Sequence, residues 1–232
     1  MDFFEAVQKR RSIRKFTDEP IPDSVVTKAL EAAVLAPNSS NVQTWDFYWV
    51  SSPEKKKKLV EFCLNQSAAR TAQHLIVIVA DPGRYHRSRK PLLDWAKSAK
   101  APKPVVFYYE KFLPYWSYRW GFLNSIGLLK WLVSHVVFLF RPIMIRQNFL
   151  SDMQEVAIKS AALAAENFVL ALTSQGCASC MMEGFDEGRV RRLLRLKGTA
   201  RVVMVVGLGK AHERGTWGPQ FRLPTHEVVH KI

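Results

Sequence analysis

The stretch from Leu75 to Ala80 constrains the fold more than any other part of the chain. It holds five apolar β-formers and an alanine, and Asp81-Pro82-Gly83 closes it. A run that short and that apolar, cut off by turn residues, reads as a buried strand. Further strands are expected at Trp45 to Val50, at 177–182 and at 202–207. Residues 151–175 predict a long helix, capped by Ser151 or Asp152 and ended by Gly176. Its Ala161, Ala162, Ala164 and Ala165 suit close packing on another helix.

Shorter helices fill the rest. Asp2 caps one that ends near Lys9-Arg10, with Glu5 three residues on, and no secretory signal pattern precedes it. Residues 10–16 form an extended connector. Asp23 caps a second helix through Leu35, which Pro37 terminates. Pro53-Glu54 opens a third, with Lys55–Lys58 on a solvated face. Residues 84–100 are basic and helical, and a short helix at 186–194 takes Asp186 as its cap. The last 25 residues, with Pro219 and Pro224, read as an arm. One α+β domain over 1–232, carrying one helical insertion at about 84–150, accounts for this order.

With 232 residues, 48% of them hydrophobic, the chain can bury a core without staples, and three cysteines cannot make a disulfide framework. A reducing, cytoplasmic setting is expected, with the insertion either in solution or peripheral to a membrane. The net charge of +14 is uneven: residues 84–150 hold twelve Lys and Arg against Asp94 and Glu110, or +10 of the total. That segment is also aromatic. Basic and aromatic together suit single-stranded nucleic acid or a membrane interface. No nucleic-acid module is recognisable, so nucleic acid is not expected as a partner.

Inside the insertion, residues 121–140 form the longest apolar run. At 100° steps, Phe122, Ile126, Leu129, Leu132, Val133, Val136, Leu139 and Phe140 share one face. Arg119, Asn124, Lys130, Ser134, His135 and Arg141 share the other. Three readings stand open: a bilayer span burdened by a central Lys130, a helix lying in an anionic membrane surface, or a lid packed on the core or on a dimer partner.

Four clusters carry chemistry. In Arg10-Arg11-Ser12-Ile13-Arg14, residues two apart share a face, so Arg10, Ser12 and Arg14 converge, and Arg11 and Ile13 point the other way. Two guanidinium forks and a hydroxyl suit a phosphate dianion. Residues 36–45, APNSSNVQTW, make a loop of amides and hydroxyls able to bond a planar heterocycle. Glu183-Gly184-Phe185-Asp186 follows a strand, and Gly184 admits close approach of a ligand to backbone. Arg222-Leu223-Pro224 lies near the end. Cys177 and Cys180, in or before a strand, are too far apart for a disulfide. The histidines lack metal-ligand spacing, and His74 reads as structural.

These clusters, in this order, resemble the nitroreductase family of FMN-dependent oxidoreductases. The matching pieces are RRSIRKF at 10–16, APNSSNVQTW at 36–45, HLIVIVADP at 74–82, the Ala-rich helix, MEGFD at 182–186, VVMVVGLG at 202–209 and FRLP at 221–224. The resemblance implies a three-layer sandwich, a mostly antiparallel central sheet flanked by helices, in an intertwined homodimer with FMN at the interface. It implies that Arg10, Ser12 and Arg222 hold the FMN phosphate, and that Arg14 reaches the phosphate or the flavin N1/O2 edge. Pro37, Asn38, Ser39 and Asn41 would come from the partner subunit. Asn65 would meet the pyrimidine ring, and backbone at Glu183 and Gly184 would face N5. Arg11 and Met182 complete the candidate cofactor set; no metal and no catalytic side chain is implied.

The implied reaction takes hydride from NAD(P)H and passes it to a small hydrophobic conjugated acceptor, a nitroaromatic, a quinone or similar. A specialised reductive dehalogenase or flavin-modifying enzyme, and a membrane-associated flavin carrier without turnover, are the alternatives. Ala68 and Gln220 stand where family members often carry basic residues, and Met181 where some have proline.

Overall fold

The apolar run becomes the centre of the molecule. In a computed structural model of residues 1–232, four strands form one antiparallel sheet in the order β1-β2-β4-β3. They are β1 (Trp45–Trp49), β2 (His74–Ala80), β3 (Ala178–Met182) and β4 (Arg201–Gly209). β2 and β4 are central, with Ile76 opposite Val206 and Val77 opposite Val205. Successive strand residues face opposite sides. Ile76, Ile78, Val206 and Leu208 therefore join one core, and Leu75, Val77, Val79 and Val205 join another. Burial on both faces is why β2 is apolar throughout rather than alternating.

Ten helices cover the sheet and its margins: α1 (Phe3–Lys9), α2 (Asp23–Val34), α3 (Pro53–Phe62), α4 (Ser67–Thr71), α5 (Tyr85–Ser98), α6 (Lys103–Phe107), α7 (Ser125–Phe138), α8 (Leu150–Ser174), α9 (Glu187–Leu193) and α10 (Thr225–Val228). α2 and α8 cover one face, with Ala29 and Ala33 against the fully buried Ala161, Ala164 and Ala165. α3, α4 and α9 cover the other through Leu59, Ala68, Ala69 and Val190. The three-layer α+β architecture is as expected from sequence.

Several helix starts differ. Asp2, Ser52 and Asp186 cap α1, α3 and α9 through their side chains. Asp23 does not cap α2: it is the first helical residue, after Pro22. Neither Ser151 nor Asp152 caps α8; the helix begins after Phe149, and Asp152 reaches back to the N–H groups of Asn148 (3.0 Å) and Phe149 (3.1 Å). A carboxylate in the first turn satisfies N–H groups that have no intrahelical partner. In the lysine run, Lys56 is half-buried and donates to the Gln73 carbonyl at 2.9 Å, while Lys58 pairs with Glu54 in solvent. His74 is structural: it holds the Ile21 carbonyl and accepts from the Trp49 indole. All three cysteines are free and buried.

The segment after α5 differs most. A π-helical stretch over Tyr108–Ser117 follows α6, and the chain bends by 86° into α7. A small satellite core of Val42, Tyr85, Leu92, Leu113, Tyr118 and Met153 holds this region on the domain. On α7 the two faces separate as expected, but their sense is reversed. Lys130 (6% exposed), Ser134 and Gly127 are buried, while Leu129 (62%), Leu132 (50%) and Val136 (59%) are open. The lid over this chain's own core is therefore overturned. The reason is local. Lys130 donates to the Trp116 carbonyl. Gly127 lies so close to the Asn148 carbonyl that an added Cβ would sit 2.7 Å from it. Only the small, polar side of α7 fits there.

One helix, α8, is long and apolar enough to cross a membrane, and half of its apolar window is buried within the fold.

Candidate functional site

Residues 10–16 run along the open edge of the sheet. The Ile13 N–H bonds the Ser179 carbonyl of β3 at 2.9 Å, and Ser12 bridges to Ser179. The C-terminal arm pins the other side: Arg14 N–H to Gly215 O at 2.7 Å and His212 N–H to Lys15 O at 3.1 Å. Gly215 makes this possible, because a Cβ there would meet Ile13 Cγ2 at 2.7 Å and the His212 carbonyl at 2.8 Å. Segments close to opposite ends of the chain thus form one wall.

Two clefts open beside that wall. The first, of about 180 Å³, is lined by Arg10, Arg11, Ser12, Arg14, Gln220 and Arg222 among others. Arg11 lies with the rest rather than on the opposite face; its guanidinium reaches the Gly218 carbonyl at 2.7 Å. Four guanidinium groups share this cleft and lack a matching carboxylate. The nearest pairing is Arg10 with Glu166, at 3.7 Å. Like charges gathered this way repel one another unless an anion joins them. A phosphate, taking bidentate guanidinium bonds, fits that demand.

The second cleft, of about 470 Å³, shares Arg14 with the first. Gln66, Ala68, Met182, Glu183, Arg214 and Trp217 line it with others. Trp217 lies over Arg14, guanidinium carbon to ring centroid 4.0 Å, in cation–π geometry. Gly184 is fixed by Gln66, whose amide donates to its carbonyl at 2.6 Å. Ala68 contributes no charge, but Lys15 and Arg214 bring cations to the same cleft. Burial pushes the Cys180 thiol pKa up, against the opposing pull of the Arg14 charge.

Asn65 is not brought to either cleft. Leu64 and Asn65 both take left-handed backbone (φ 57° and 53°), which reverses the chain after α3. Asn65 then faces a hollow beside Lys56, Glu61 and Arg70, and its neighbour Gln66 enters the second cleft. Sequence reasoning missed Gln66, Lys15, Arg214 and Trp217. Gln66 carried a signal in its adjacency to Asn65; the others lie in segments whose placement depends on the arm folding back.

The polar loop stands apart from both clefts. Asn38 Oδ1 accepts from the Gln43 N–H at 2.8 Å, and Ser40, Asn41 and Gln43 are left-handed. The basic segment braces the loop: Arg87 donates to the Gln43 and Trp45 carbonyls, Ser88 to Val42 O at 2.6 Å, and Tyr108 meets Ser40 Oγ at 2.6 Å. Arg84 and Arg87 both pair with Asp46. Pro37, Asn38, Ser39 and Asn41 are thus braced by the basic segment, and they line neither cleft beside Arg10–Arg14 of the same chain.

The model of the Nitroreductase family matches residues 7–210. The chain belongs to that family. The match runs through residues 84–150, so the basic segment lies inside the family's span. Among relatives, Spy0809 of Streptococcus pyogenes, named as an NAD(P)H nitroreductase, is 28% identical, and the alignment covers 100% of both chains. The crystal structure of ydfN from Bacillus subtilis superposes with a TM-score of 0.74 at 21% identity, covering 99% of this chain and 98% of that one. A nitroreductase-family structure from Exiguobacterium sibiricum, solved in complex with FMN, has a TM-score of 0.71 at 21% identity and covers 100% and 98%. The nitroreductase fold is common to all of them.

Proposed function

We propose that this protein is an FMN-dependent oxidoreductase that draws on NADH or NADPH and reduces a small hydrophobic conjugated acceptor, a nitroaromatic, a quinone or similar. The observation that carries the reading is the four-arginine cleft, with too little acid to balance it, joined through Arg14 to a larger cleft beside β3. The donor set suits FMN: cations for one phosphate, then a mixed wall for a flat ring. The family relatives named as NAD(P)H nitroreductases and the FMN-bound neighbour support it.

Each residue has a task in this reading. Arg10, Arg11, Ser12 and Arg222 hold the phosphate. Arg14 spans the two clefts and orients the ring end, with Lys15 and Arg214 supplying positive charge that Ala68 and Gln220 do not. Gln66 takes the polar role expected of Asn65. Met182, Glu183 and Gly184 present backbone at the end of β3. Bound FMN supplies the chemistry of accepting and returning hydride; no side chain here acts as a nucleophile or a general base.

A homodimer completes the site. Pro37, Asn38, Ser39 and Asn41 meet nothing of their own chain's clefts, and they are offered to a second copy's flavin. The arm beyond residue 211 is largely exposed, including Phe221, Leu223 and Val229, as a segment that clasps a partner subunit would be. A cytoplasmic location suits three free cysteines.

The test is direct. The purified protein is expected to be yellow and to bleach anaerobically with NADH or NADPH. Nitroaromatics and quinones should restore the colour with turnover. A colourless protein that also refuses added FMN refutes the proposal.

A further inference from the structure

The outward face of α7 is a contiguous apolar surface. Leu129, Leu132, Val133 and Val136 are exposed on it, Leu139 and Phe140 extend it past the C-terminal end, and Phe122 extends it beyond the other end. The opposite side of the helix is anchored to the domain by Lys130 and Gly127, so the helix cannot roll to hide this face without exposing those contacts. Single exposed apolar side chains are ordinary, but a contiguous set on one anchored helix marks a contact surface.

We propose that this face docks in the plane of an anionic membrane surface. The charge around it selects that occupant. Arg119 and Arg141 flank the helix, and both are exposed, as are Lys103 and Lys111 on the preceding segment. Residues 84–150 contain no acid other than Asp94 and Glu110. Apolar side chains between cationic ends match acyl chains below anionic headgroups. A second copy using this same face across a two-fold axis would set arginine against arginine without carboxylates to pair them. Spanning does not fit: α7 has 14 residues, about 21 Å of helix against a hydrocarbon core of about 30 Å, and the preceding helical segment turns away by 86°. The docking stands independently of the flavin reading. If both hold, an acceptor dissolved in the bilayer is within reach of the segment that braces the 38–44 loop.

The test is flotation of the full-length protein with vesicles of phosphatidylcholine alone or mixed with phosphatidylglycerol. The chain is expected to co-float with the anionic vesicles and to stay at the bottom with the neutral ones. The variant Leu132→Glu/Val136→Glu changes two outward residues and touches no part of either cleft. Its floated fraction should fall at least about tenfold, with unchanged elution volume and flavin spectrum. Three results overturn the proposal: no flotation of the parent chain with anionic vesicles, equal flotation of the variant, or a shift of the variant to a smaller species on size exclusion. The last would assign the face to a contact between copies. Flotation is read on protein, so its failure leaves the flavin reading to the visible spectrum.

Discussion

Lys130 offers a measurement of which way α7 faces. Burial lowers its pKa from 10.5 to about 8, with Asp152 opposing the shift only in part. The folded chain therefore releases this proton near pH 8, and the unfolded chain keeps it to about 10.5. Between those values the unfolded state binds more protons, so Lys130 makes stability rise with pH. Below pH 8 its unfavourable charge burial is present in full. At about 1.36 kcal/mol per pH unit, the depression corresponds to about 3 kcal/mol. Lys130→Met removes the titration and keeps the side chain's bulk, and the bond to the Trp116 carbonyl is lost with it. Urea unfolding of both proteins from pH 7 to 10 isolates the effect. The stability of the parent relative to the variant is expected to rise by up to about 3 kcal/mol across that range. If α7 instead turned Lys130 to solvent, the lysine would titrate near its ordinary value and the difference would stay flat below pH 9.5 or so. A flat difference refutes both the inward polar face and the outward apolar one.

Other consequences follow from the site and its frame. Arg10→Ala or Arg222→Ala should weaken FMN binding about 10- to 100-fold, since a bond to a charged group contributes about 1.5–3 kcal/mol; flavin fluorescence titration reads it. Gly215→Ala should destabilise by about 1–3 kcal/mol, because its Cβ would overlap Ile13 and two carbonyls. A thermal melt would show that as a loss of about 3–10 °C. Cys63, whose thiol is pushed up to about 11 by burial, should be thiolate in about one molecule per thousand at pH 8. A thiol reagent at that pH should therefore label it only once the chain is unfolded.

The strands, α8 and the connector at 10–16 were legible from sequence because local chemistry sets them. Apolar β-formers bounded by turn residues, an alanine-rich helix ended by Gly176, and alternate cations in an extended stretch mean much the same in any surroundings. The exact caps of α2 and α8 were less legible. Asp23 and Asp152 sit in first helical turns, where a carboxylate is nearly as favourable as at the cap itself. Asn65 was less legible still: two left-handed residues reverse the chain there, so that Gln66 and not Asn65 lines the second cleft.

Sequence alone determined that this chain makes an α+β sandwich with a cluster of arginines at 10–14, because burial pattern and charge spacing are carried by neighbouring residues. Only the tertiary structure decided that Arg14 joins two clefts, that Trp217 and Arg214 enter one of them, and that α7 turns its apolar face outward. Each depends on a contact between separate segments: the arm folding back on residues 12–15, or Lys130 meeting the π-helical stretch and Gly127 the chain just before α8. A helical pattern specifies two faces, and the neighbours that happen to be polar and close decide which face goes in.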